Sequence, residues 1–203
     1  MFSFNRKLVL PGEGEINAGD IIGFSGRSWI SAGINIATYG IPLWGISHVG
    51  IMANAADGRL LIFESTSLDG EIPCEITGKP ICGTQAHVLD FILEHYRGKA
   101  WHYPLYRPLY ANENERLTEF LIDTIGVPYD AMGAFRSAGV GLSWIESLFR
   151  EQSLTSIFCS EWCAAAYAVV GLHATDHVSR WSPNRLCRHL RRHGILCKPK
   201  RLK

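Results

Sequence analysis

Two short apolar runs divided by a tight turn constrain this chain more than any other feature in it. Positions 47–53 read as a strand, positions 60–65 as a second, and Asp57-Gly58 is a hairpin turn signal between them. A hairpin turning there pairs positions that sum to roughly 115. Glu64 then falls near Ile51, within a few residues of His48 on the neighbouring strand. An acid closing an apolar strand is costly unless it finds a partner. An antiparallel sheet is thus the starting point.

Other segments extend it. Positions 21–24 form a short apolar strand after Gly19-Asp20. Positions 86–93 and 100–105 read as further strands, and 70–85 as loop, with Pro73, Pro80 and three glycines. Positions 28–39 are mixed, with a weak helical reading. From about residue 112 the character changes. Asn112 followed by Glu115 fits a capping box, and Leu117, Phe120, Leu121, Thr124 and Ile125 make a helical stripe that Gly126 to Asp130 breaks. One or two short helices are expected over 130–151. Positions 159–171 read as a buried, alanine-rich helix. Ser182-Pro183 opens a last helix that runs to about Gly194. Strands first and helices later predict an α+β fold, in a single domain over 1–203.

The chain has 203 residues, 47% of them hydrophobic, which suffices for a core without disulfide staples. The start lacks the apolar segment of a secretory signal, and no stretch has the ~20 apolar residues that span a bilayer. A reduced, cytoplasmic site of synthesis is expected, with the six cysteines as thiols. The formal net charge of +1 hides an asymmetry. Residues 185–203 hold eight Lys/Arg and no acid, which leaves 12 basic against 19 acidic residues, a net −7, in the rest. That basic segment suits a solvated terminal helix. It also suits contact with nucleic acid, an anionic lipid surface or an acidic partner.

One constellation can carry chemistry. A thiol attacks carbonyls as thiolate, and a helix N-terminus with a neighbouring imidazole favours that form. Cys159 stands where a non-helical stretch gives way to Ser160-Glu-Trp-Cys-Ala-Ala-Ala. It therefore falls in a first turn, where backbone N–H groups point outward and can meet an oxyanion. A buried cysteine is otherwise a small hydrophobe, which is the plain reading of Cys163 one turn on. His48 is the candidate base, and its ring needs an orienting acceptor; Glu64 and Glu161 compete for that place. Cys187, His189, His193 and Cys197 suggest zinc at first sight. Their spacing matches no usual knuckle, so no metal and no cofactor are expected.

The ordered set Gly19-Asp20-Ile-Ile, Ser47-His48-Val-Gly-Ile, Phe63-Glu64-Ser, Gly126-Val-Pro-Tyr129-Asp130 and Phe158-Cys159-Ser160-Glu161, followed by Ser182-Pro183, resembles the permuted NlpC-type papain-like family. That group includes YiiX-like and lecithin:retinol acyltransferase-like proteins, and the likeness covers about residues 18–190. It implies a papain-like α+β fold, with an antiparallel sheet or partial barrel packed on helices. It implies Cys159 as nucleophile, His48 as base and later acid, and Glu64 as orienter. Ser160, Tyr129, Trp44 and Asp20 would line the oxyanion site or substrate cleft. The implied activity is amide hydrolysis through an acyl thioester, with cell-wall peptide leading. A lipid ester or thioester, with acyl transfer, is the second substrate class. A binding or assembly module, as in a virus particle, is the reading from outside enzymology; virion association or release by another route would go with it.

Overall fold

The computed structural model describes residues 15–25, 45–66, 72–127, 158–173 and 181–203. Six strands form one antiparallel sheet: β1 (Ile21–Ser25), β2 (His48–Asn54), β3 (Leu60–Thr66), β4 (Gly83–His87), β5 (Lys99–Tyr103) and β6 (Lys200–Arg201). Their spatial order is β4-β3-β2-β1-β5-β6, an open sheet. Four helices are described: α1 (Leu89–His95), α2 (Ala111–Asp123), α3 (Phe158–Val170) and α4 (Pro183–Arg192). The mixed α+β expectation holds.

The hairpin forms where the turn signal stands. Gly58 takes φ 83°, a left-handed value that favours glycine, and its N–H donates to Ala55 O at 2.9 Å. The observed pairing sets Gly50 against Glu64 and Ile51 against Phe63. Pairs therefore sum to 114 rather than 115. This one-residue difference matters, because a slip by one moves every side chain to the opposite face. The observed register puts Glu64 on the same face as Gly50 and His48.

Side chains alternate along β1 into two apolar clusters. Ile21 joins Val49, Ile51, Phe63, Leu117 of α2, the alanines 164–166 of α3, and Leu186 and Leu190 of α4. Ile22 and Phe24 join Met52, Ile62, Leu89 and Ile92 of α1, and Tyr96. Burying each large aliphatic chain contributes roughly 1.5–3 kcal/mol. The run of alanines lets α3 approach β2 and β3 closely. The Tyr167 hydroxyl then donates to Gly19 O at 2.5 Å, tying α3 to the entry of β1.

Three expectations need correction. Residues 86–93 are not one strand: β4 ends at His87, and helix α1 begins at Leu89. The apolar run is short enough to suit either form. Leu89 and Ile92, three apart, bury one helical face, and Asp90 sits in the first turn where the helix dipole favours an acid. The stretch taken as loop to residue 85 holds the first three residues of β4. Helix α2 is capped two residues early, with Glu113 accepting from the Tyr110 N–H at 2.8 Å. Arg107 engages the same carboxylate through two nitrogens at 2.6 and 2.7 Å, which explains why Glu113 and not Glu115 closes the cap. The expected segments 28–39 and 130–151 lie outside the described residues.

Gly50 shows how tightly β2 and β3 meet. A β-carbon there would stand 2.9 Å from the Phe63 carbonyl oxygen and 2.9 Å from the Ile62 side chain. Gly50→Ala is therefore expected to cost about 1–3 kcal/mol, read as a lowered denaturant midpoint at unchanged slope. An unchanged midpoint would show that the hairpin has room to spare.

Candidate active site

His48 opens β2 and is 2% exposed; Glu64 lies near the end of β3 and is 5% exposed. Their side chains meet, His48 Nε2 to Glu64 Oε2, at 2.7 Å. Glu64 faces Gly50 directly, so its carboxylate reaches diagonally to His48 past a position with no side chain. The Phe24 ring lies 5.8 Å from the imidazole, centroid to centroid, and walls it off.

The other ring nitrogen, Nδ1, is buried without a closed hydrogen bond. The Cys159 thiol is the neighbour whose charge bears most on the ring. Cys159 is the second residue of α3 and fully buried. Its backbone N–H is among the four at a helix start that lack an intrahelical acceptor.

Burial opposes a charge on His48. The negative charge of Cys159 and its hydrogen bond, then the hydrogen bond and charge of Glu64, outweigh that and raise the imidazole from 6.5 to about 10. Burial likewise pushes the Glu64 carboxyl up, but the hydrogen bond and charge of His48, with His87 behind, hold it below its usual range. The pair therefore favours imidazolium beside carboxylate.

The remaining candidates separate. Glu161, the rival orienter, is half-buried, and burial raises its carboxyl to about 7; the acid on His48 is Glu64. Cys163 is core, its thiol raised well above the ordinary value by burial and by the charges of Cys159, Cys187 and Glu64. The Ser160 hydroxyl, expected near an oxyanion, donates instead to the Trp181 carbonyl and ties the start of α3 to the approach to α4. Asp20, expected in the cleft, is 3% exposed and belongs to another cluster. It accepts from Leu105 N at 2.8 Å, Asn17 N at 2.9 Å and His102 Nε2 at 2.6 Å. Asp20 O takes the Met52 N–H, four residues along β2 from His48, which is about 13 Å at strand rise. Its carboxylate organises the entry of β1. Trp44 and Tyr129 lie outside the described residues.

Sequence reasoning missed His87 and Gln85. Gln85 pairs directly with Glu64 across β3 and β4, and is 5% exposed. His87 lies on the same face, 3% exposed, and burial lowers its pKa. The signal was available: Thr84-Gln85-Ala86-His87 places a polar residue at alternate positions beside an acid. Among the described residues no three His, Cys, Asp or Glu side chains converge as a metal site.

No protein-family model matches the chain, and no curated protein matches its sequence. Among solved structures, the metalloprotein YiiX from Escherichia coli O157:H7 is similar at 18% identity and a TM-score of 0.46, over 90% of this chain and 87% of that one. The chemistry proposed next is carried by the site's own residues.

Proposed function

We propose that the protein is a cysteine-dependent hydrolase of amide bonds, with cell-wall peptide as its substrate class. The observation that carries this reading is one buried imidazole clamped by a carboxylate at 2.7 Å and coupled electrostatically to the thiol at a helix start. A buried histidine clamped by an acid on one nitrogen has its other nitrogen fixed in direction.

In this reading the Cys159 proton already rests on His48, so that a thiolate stands beside an imidazolium. The thiolate attacks the carbonyl carbon, and the carbonyl electrons move to oxygen, where N–H groups of the α3 first turn meet the charge. The imidazolium returns its proton to the departing amine as the C–N bond breaks, leaving an acyl thioester. His48 then deprotonates water, which attacks the thioester and releases acid and thiol. Glu64 keeps the ring oriented and stabilises its charge whenever it carries the proton. Cys159 and His48 are closed off from solvent, so the reading includes an opening step that admits substrate. Transfer of the acyl group from a lipid ester is the second reading. The basic outer face of α4, which would suit an anionic substrate, favours it.

The test is alkylation by iodoacetamide as a function of pH, located at the Cys159 peptide by mass, since five other cysteines compete. The rate is expected to hold well below pH 8, where an ordinary thiol of pKa about 8.5 becomes unreactive. His48→Ala is expected to remove that low-pH reactivity. An ordinary titration in wild type, unchanged by His48→Ala, would leave a binding or assembly module as the better account.

A further inference from the structure

A second feature lies outside the thiol site. Helix α4 turns Leu186, Cys187 and Leu190 inward. Its outer face carries Arg185, Arg188 and Arg192, with His189 between them. These residues, with Trp181 and His193, line a cavity of about 550 Å³ that has no carboxylate in its lining among the described residues. That size suits a small ligand, for which pockets run roughly 300–1,000 Å³.

The lining is more than a solvated basic helix. The Trp181 and His189 rings lie 4.5 Å apart, and the His189 and His193 rings 4.0 Å apart. Arg185 stacks over Trp181 at 5.5 Å. These contacts gather one guanidinium and two imidazole rings around the indole. Among the described residues, neither Arg188 nor Arg192 has an acidic partner. Trp181 is only 9% exposed, and its indole N–H is buried without an acceptor. Behind it, His173 is 7% exposed with Nε2 also unpartnered, its ring 5.6 Å from Trp181. These two buried groups lie behind the cavity wall, and the open donors facing the cavity are those of the exposed Arg188 and Arg192.

We propose that this cavity binds a phosphate group. Its oxygens would take paired N–H donors from Arg188 and Arg192, whose planar forks match phosphate geometry. The tilted rings of Trp181, His189 and His193 give an aromatic wall against which the remainder of a phosphate ester can lie. The site is independent of the cysteine chemistry.

Calorimetric titration of the full chain with inorganic phosphate, against chloride at matched ionic strength, tests it. Saturable binding is expected at one site per chain. The Arg188→Ala/Arg192→Ala double variant, both side chains being exposed and the fold therefore spared, is expected to weaken it about tenfold or more. Vesicles of phosphatidylcholine with phosphatidic acid then separate the sources. Displacement of phosphate by the vesicles assigns a lipid headgroup, and none assigns a soluble phosphate ester. Absence of saturable phosphate binding overturns the proposal. So does binding that survives the double variant, and so does duplex DNA binding in the absence of any phosphate site.

Discussion

Cys159→Ala is expected to abolish hydrolysis, with turnover of susceptible peptide amides falling by at least about a thousandfold. Loss of a covalent nucleophile removes both the bond-forming atom and the proton transfer built around it, and known cases fall by far more. The same change touches one sulfur atom in the core. Its stability cost should resemble that of a deleted buried methyl, about 1 kcal/mol. Turnover and thermal unfolding measured on one preparation separate the two effects. Muropeptides and lipid esters assayed side by side tell which acyl group the thiol attacks. A variant that retains full activity on either substrate ends the cysteine mechanism.

Glu64→Ala is expected to lower stability by about 3 kcal/mol. That is near the low end for breaking a buried ion pair, because the stranded imidazole can shed its proton. The loss should depend on pH, and its direction follows from the two shifts. Glu64 is held below its ordinary 4.5, so its contribution is present above that pH and fades as pH falls through the lower native value. His48 is raised from 6.5 to about 10, so its contribution is complete below 6.5 and fades as pH climbs towards 10. The gap between wild type and variant should therefore be widest from about pH 4.5 to 6.5 and narrow on both sides. Denaturant unfolding across that range measures it. A gap that does not change with pH would mean that Glu64 supports the hairpin by packing alone. Glu64→Gln, which keeps the shape and an acceptor, should recover much of the stability but not the low-pH reactivity of Cys159.

The sequence made some of this legible and hid the rest for physical reasons. Apolar strands with a turn signal announce β1, β2 and β3, because their pattern is local. Ser182-Pro183 announces α4 for the same reason, and the Ser182 hydroxyl does accept from Arg185 N, at 3.4 Å. The nearness of Glu64 and His48 was legible, but the register was off by one. The turn at Ala55 to Arg59 has five residues, and its composition does not fix the pairing to a single residue. Strand β4 was hidden because Gly83-Thr-Gln-Ala-His87 has little apolar content; its place is set by pairing with β3. Strand β6 is two residues long and exists only as an addition to β5. Asp20 looked like a cleft residue because it sits in a motif. Its role became visible only once Leu105 and His102, far along the chain, came to meet it.

The two reactive side chains are separated by more than half of the 203-residue chain. The hairpin that holds His48 and Glu64 needs only the first 66 residues and can form early, while contacts spanning such a distance close late. During synthesis the thiol would emerge as an ordinary cysteine, with no imidazole beside it until α3 seats against β2 and β3. On the hydrolase reading the protein acquires its nucleophile as one of the last acts of folding. Unfinished copies would then be harmless to neighbouring acyl groups.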